Sequence, residues 1–172
     1  MAEARRQRPD MDDDKQLDER VIYVNRVARV VRGGRRFRFQ ALVVVGDHGG
    51  RVGIGVSKGA DVSAAVNKAT NVAKKNISSI HLYRGTISHE ASGQVGGSKI
   101  LIMPAAPGTG LIAGGVVRTV LEVAGVENIL SKSLGSSNRI NTAYATLAAL
   151  QSVQPASKWV VRPPRKKVNA KA

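Results

Sequence analysis

The sequence predicts an α+β chain of two small domains, an N-terminal β-β-β-α unit and a C-terminal β-α-β-α unit, with flexible basic tails. Three observations predict it. β-Branched and aromatic residues alternate with period two between positions 21 and 57, and apolar residues recur at helical spacing after positions 61, 114 and 140. A Gly- and Ser-containing stretch, Gly85 to Gly97, separates the two sets. With 172 residues and 42% hydrophobic content, the chain can build one domain or two.

Residues 1–19 are polar, aperiodic and of mixed charge, and read as a mobile N-terminal arm. The N-terminal domain is expected over 20–84. From Val21 to Val31, Val21, Tyr23, Asn25, Val27, Arg29 and Val31 share one side of a strand. Arg32-Gly33-Gly34-Arg35 reads as a hairpin turn, because glycine takes the positive φ such turns need. In the second strand Phe37, Phe39, Ala41, Val43 and Val45 fall on a core face, with Arg36, Arg38 and Gln40 on the other. Gly46-Asp47-His48-Gly49-Gly50 is a further turn.

The third strand alternates Val52, Ile54 and Val56 with Gly53, Gly55 and Ser57, a smooth face open to a helix or to a phosphate. Asp61 is placed to cap a helix whose Val62, Ala65, Val66, Ala69, Val72 and Ala73 share a face, with Lys68, Lys74 and Lys75 outside it. A short strand near Ile77 to Tyr83 ends the unit, and residues 85–97 form a linker.

The C-terminal domain is expected over 98–154. Its strand Lys99 to Met103 is ended by Pro104 and Pro107, and a Gly108-Thr-Gly110 turn leads to a helix from about Gly114 to Ala124, closed by Gly125. Val126 to Leu134 is a strand, Gly135-Ser-Ser-Asn138 a turn and helix cap, and Ile140, Ala143, Tyr144, Leu147 and Leu150 mark the last helix. Residues 155–172 form a basic tail.

Charge carries the functional information. There are 27 Lys and Arg against 12 Asp and Glu, a net +15 that attracts polyanions. Arg20 to Arg38 hold seven basic residues and no acid, and the last seventeen residues hold six more. Val95 to Pro155, with four basic and two acidic residues, is nearly neutral and should face protein more than phosphate. The apolar-rich stretch Gly108 to Val126 is broken by Gly114, Gly115, Arg118 and Glu122, so no membrane partner is expected. Arg5, Arg6 and Arg8 are followed at once by Asp10, Asp12, Asp13 and Asp14, unlike a transit peptide, and no apolar secretory segment is present.

Neither Gly53-x-Gly55 nor Gly108-x-Gly110 completes a dinucleotide fingerprint, and Lys58 does not complete a P-loop. The three histidines, His48, His81 and His89, lie at no metal-ligand spacing, and cysteine is absent. No catalytic, cofactor-binding or metal-binding residue is therefore expected, and no small-molecule substrate. The arginine hairpin does match a known chemistry: forked, planar donors that suit phosphate geometry and stack on bases. With six aromatic residues in the chain, shape and phosphate contact fit better than serial base stacking.

Val24-Asn-Arg-Val27, Arg32-Gly-Gly-Arg35, Phe39-Gln-Ala41, Val44-Val-Gly-Asp47 and Gly50-Arg-Val-Gly-Ile-Gly55 closely resemble, in order and spacing, the N-terminal signature of the bacterial-type small-subunit ribosomal protein five family. Pro104-Ala, Gly108-Thr-Gly-Leu-Ile-Ala-Gly-Gly115, Val120-Leu-Glu-Val-Ala-Gly-Val126 and Gly135-Ser-Ser-Asn138 resemble its C-terminal domain. The resemblance implies a double-stranded-RNA-binding-like first domain and the family's own second-domain fold. It implies a cytoplasmic, ribosomal location, binding to small-subunit rRNA, contact with the fourth and eighth small-subunit proteins, proximity to mRNA at the entry channel, and an influence on translational accuracy.

Carried over by position, Arg26, Arg29, Arg32, Gly33, Gly34 and Arg35 fall in the RNA-contacting hairpin; Arg36, Arg38, Lys58, Lys68, Lys74 and Lys75 complete the candidate RNA-binding set. Gly108, Thr109, Gly110, Gly114, Gly115 and Arg118 fall where the family meets the fourth protein. The alternative is a free-standing small-molecule kinase-like enzyme of the C-terminal superfamily, since that fold also hosts phosphate loops. His48 stands where the family's turn normally has Gly, and Arg139 where a Pro often follows the Asn.

Overall fold

β-Branched residues at period two produce two long antiparallel strands, β1 (Asp18–Val31) and β2 (Gly34–Gly46), joined at the expected Gly-Gly turn. The computed structural model describes residues 17–155 and Lys158, so the expected arm and basic tail lie almost wholly outside the described residues. Strand β1 starts two residues before Arg20, and Asp18 and Glu19 are paired with Gly46 and Val45. Next to β2 lies β3 (Arg51–Gly59), then the two-residue β4 (Ser78–Ser79), in the order β1-β2-β3-β4.

The smooth face of β3 belongs to a helix, α1 (Val62–Lys75). A Cβ built on Gly53, Gly55 or Gly59 would come within 3 Å of the Ala73 carbonyl oxygen, the Ala69 carbonyl oxygen or the Ala65 nitrogen respectively. Backbone lies on backbone here. Ala65, Ala69 and Ala73 are accordingly fully buried. Two details differ from the sequence reading. Asp61 occupies the cap position but its side chain caps nothing; its carbonyl accepts from Ala65 instead. Val62 is exposed, because the stripe that meets the glycines is made of alanines.

The second sheet contains β5 (Ala91–Val95), β6 (Ser98–Pro104), β7 (Leu111–Ile112) and β8 (Ile129–Gly135) in the order β5-β6-β8-β7, with β7 and β8 parallel. Its helices are α2 (Gly115–Ala124) and α3 (Arg139–Ser152). The linker expected over 85–97 is corrected: residues 91–95 pair with β6 as an edge strand. Small residues hid it. Gly93 lies so close to the Ala145 carbonyl and Ala149 nitrogen of α3 that a side chain would collide, so this strand buries itself without bulky alternation. The caps follow the sequence: Asn138 Oδ1 accepts from Ile140 N–H at 3.1 Å, and Gly125 ends α2 at φ 84°.

The core face assigned to β2 also needs correction. Ala41, Val43 and Val45 pack under α1, but Leu42 and Val44 are equally buried, on the other face. There they belong to a cluster that also holds Val117, Val120 and Leu121 of α2 and joins the two domains. Thus β2 has two core faces beyond residue 40 and none before residue 39.

The seam between the domains is closed by the turn after β2. His48 N–H donates to the Val123 carbonyl at 3.1 Å and Gly50 N–H to that of Ala124 at 3.0 Å. His48 keeps the left-handed φ of 54° that favours glycine, and its ring spans the seam: Nδ1 donates to the Glu122 carbonyl at 2.8 Å, and Nε2 lies 3.1 Å from Asp18 Oδ2. Arg20 reaches Asp18 at 2.9 Å and Glu122 at 2.7 Å. Within the turn, Asp47 accepts from the N–H groups of Gly49 and Arg51 and from Arg51 Nε at 2.6 Å. Burial alone would raise the Asp47 pKa, but these hydrogen bonds from Arg51 and Gly49 outweigh it and hold the carboxyl below its usual value.

This packing can be tested at two positions. Gly55→Ala should destabilise the protein by about 1–3 kcal/mol or more, read by denaturant unfolding, since the helix must lift from the sheet; Gly33→Ala, with nothing within 4 Å, is the control. An unchanged midpoint would mean that α1 is not seated on β3. For Asp47, the folded pKa lies below the unfolded one, so its contribution is present above about pH 4 and lost as pH falls through the folded value. Asp47→Asn should flatten that part of the acid-stability profile, measured by thermal melting from neutral to acid pH; an unaltered profile would contradict the assigned bonds.

Candidate nucleic-acid interface

Beyond residue 39 the β1–β2 ribbon leaves both helical layers and becomes an exposed hairpin, with Gly34 through Arg38 all at the surface. Register sorts its arginines by face. Arg29 pairs with Arg36 and Val27 with Arg38, while Lys58 of β3 pairs with Gln40, so Arg29, Arg36, Arg38 and Lys58 share one face. These side chains, with Val27 and Val31, line a hollow of about 260 Å³. Arg26 and Arg35 belong to the other face, where the Arg26 guanidinium lies 3.7 Å above the Phe37 ring. Arg32 stands at the turn. Gly33 and Gly34 shape the tip and touch little: a Cβ on either would meet nothing within 4 Å.

Among the described residues, none of the six hairpin arginines from Arg26 to Arg38 has a carboxylate partner. Arg20, the seventh basic residue of the run, is different, because Asp18 and Glu122 hold it in the seam. Arginines facing each other across a ladder repel, as Arg29 and Arg36 do. A polyanion in the hollow would relieve that repulsion and neutralise four cations at once. This is the chemistry the arrangement offers.

The lysines of α1 are not part of this hollow. Helix α1 covers the face that carries Ala41 and Val43, opposite to Arg36 and Arg38. Lys68 and Lys75 are exposed there, whereas Lys74 is engaged with Glu19 at 3.2 Å. The twelve-residue RNA-binding set expected from sequence therefore falls on two sides of one sheet.

Gly114 and Gly115 stand exposed at the start of α2, while Gly108, Thr109 and the half-buried Gly110 form the loop that leads into β7 on the parallel edge of the second sheet. It is held from beneath by Asn128, a buried side chain whose Oδ1 accepts from both Gly108 and Gly110 N–H at 3.0 Å. Arg118 donates to the Leu111 carbonyl at 2.8 Å and ties the loop to α2. Sequence reasoning missed Asn128, which carries no motif, and the Arg26–Phe37 stack, which depends on strand register. Both glycine pairs considered as phosphate loops have internal roles: one lies under α1, and the other donates to Asn128.

Among the described residues no three His, Cys, Asp or Glu side chains converge as metal ligands, and no helix is long and apolar enough to cross a membrane.

Two family models match the chain, one after the other. Residues 17–81 match the family model for ribosomal protein S5, N-terminal domain, and residues 93–160 match that for ribosomal protein S5, C-terminal domain. The second match begins inside β5. A small ribosomal subunit protein uS5 of Picosynechococcus sp. is 48% identical over 155 residues, 90% of this chain and 90% of that relative. One from Thermus thermophilus is 54% identical over 138 residues, 80% of this chain and 85% of the relative.

Proposed function

The chain belongs to the ribosomal protein S5 family, and on that premise we propose that it is a non-catalytic structural constituent of the small ribosomal subunit, binding small-subunit rRNA through its arginine hairpin. The observation that carries the reading is the cluster of Arg29, Arg36, Arg38 and Lys58 around one hollow, uncompensated by acids among the described residues. Forked guanidinium groups held on a rigid ribbon grip phosphates in a preset geometry, and each contact releases condensed counterions. The hairpin projects from a domain buried on both sides of its central strand, so it can enter a groove or junction of folded RNA without losing its own shape.

The neighbours and the site of action follow from the same family reading. The segment from Gly108 to Arg118, anchored at its start by Asn128, is proposed to meet the fourth small-subunit protein, and the eighth is proposed as a second neighbour. The protein is proposed to act on the cytoplasmic ribosome near the mRNA entry channel, where its placement influences decoding accuracy.

Two measurements test this. The full chain should cosediment with small subunits through moderate salt; recovery in the free fraction alone would refute the assignment. In equilibrium binding to small-subunit rRNA, Arg36→Ala with Arg38→Ala should weaken binding and reduce the log–log salt slope by about 0.7–0.9 for each phosphate that is no longer neutralised. An unchanged slope would mean that this face of the hairpin does not touch the backbone.

A further inference from the structure

The basic face of the ribbon does not end at Arg38. The next pair on it is Asn25 with Gln40, and the one after is Tyr23 with Leu42, each step about 7 Å along the strand. There the face meets the start of α3, and a cleft of about 400 Å³ opens between the domains. Tyr23, Asn25 and Gln40 line its first-domain side; Ser137, Asn138 and Arg139 line the other. The hollow among the arginines and this cleft are thus consecutive segments of one surface.

Arg139 sits in the cleft with its guanidinium 4.0 Å from the Tyr23 ring centre. As the first residue of α3 it places a cation against the positive end of the helix dipole, so its charge does not serve that helix. It is exposed and, among the described residues, has no carboxylate or carbonyl partner. Asn25 and Gln40 likewise make no side-chain hydrogen bond among the described residues. The cleft is therefore lined by polar groups with unused hydrogen-bonding capacity and by a planar cation backed by an aromatic ring.

Those are the elements that receive an unstacked base: a guanidinium plane to stack on and amide side chains to bond its edge. The volume, within the range of small-molecule sites, suits one nucleotide and not a duplex. We propose that RNA lying in the hairpin hollow continues into this cleft, where one unstacked nucleotide packs on the outer face of Arg139 and meets Asn25 and Gln40. The second domain, nearly neutral as a whole, then joins the RNA interface through a single residue. The inference rests on the RNA reading of the hairpin and extends it across the domain seam.

The test uses the full chain with small-subunit rRNA, measuring affinity against salt and probing bases chemically. Arg139→Ala should weaken binding about tenfold, the loss expected for one stacked base, and should expose a base that the wild type protects. Arg139→Lys should recover the salt slope but not the affinity, since lysine keeps the charge and loses the plane. Gln40→Ala, which leaves Arg139 in place, should expose the same base. Wild-type affinity and protection in Arg139→Ala, with weak binding in the Arg36→Ala, Arg38→Ala double variant, would overturn this inference and leave the hairpin reading standing. Unchanged binding by both would remove the two together. A lowered melting temperature of Arg139→Ala with unchanged RNA affinity would make the residue a staple between domains and would also overturn the proposal.

Discussion

The double burial of residues 41–45 is the constraint on which the rest of the molecule depends. Small Ala41 with Val43 and Val45 faces the alanine stripe of α1, and Leu42 with Val44 faces the cluster shared with the second domain. Full burial of a Val or Leu side chain is worth about 1.5–3 kcal/mol, so both faces hold the strand in place. A slip of one residue would exchange the two faces and put Leu42 under α1, beside the β3 glycines on which that helix lies. Register set in the core is transmitted along the ribbon, where it decides that Arg36 and Arg38 face one way and Arg35 the other. The hairpin needs no core of its own, which frees its side chains to be charged.

That freedom explains where the charge is concentrated. Paired arginines on an isolated ribbon would splay it; here the far halves of the same strands are held between helices. Arginine suits this position better than lysine because its plane can also pack, as the Arg26 guanidinium does on Phe37, so part of that cationic side chain replaces missing apolar burial. The second domain has no comparable cantilever. Its exposed loop is drawn inward by Asn128, a neutral device that adds no charge to that surface.

Legibility of the fold in the sequence follows the range of the interaction responsible. The Gly-Gly turn, the Asn138 cap and the Gly125 helix end depend on neighbours within a few residues, and the sequence shows them. The bulge between Val21 and Tyr23 does not announce itself, since alternation reads through it, yet it re-sorts the faces of β1. Strand β5 reads as a linker because its small residues Ala91 and Gly93 are buried in packing that involves α3, some fifty residues away in the chain. Likewise the basic residues can be counted, but which of them act together cannot: Lys74 is drawn to Glu19, Arg20 to Glu122, and the lysines of α1 to the other side of the sheet.

The domain seam brings these ranges together. At one end, backbone carbonyls of α2 accept from His48 and Gly50, and a carbon on Gly125 would collide with the His48 carbonyl, so the turn can dock only against glycine. Ion pairs of Arg20 and the ring of His48 close that end, and the shared apolar cluster fills the middle. The docking of the domains is thus already determined by contacts around Glu122, Val123 and Val44. At the other end, around Tyr23 and Arg139, packing is incomplete, and among the described residues Asn25, Gln40 and Arg139 have no hydrogen-bond partner for their side chains. A seam closed tightly at one end and left polar and open at the other has fixed its cleft by contacts that do not involve the cleft. Its shape is therefore available to a ligand without reorganisation, the condition under which a few contacts yield useful affinity.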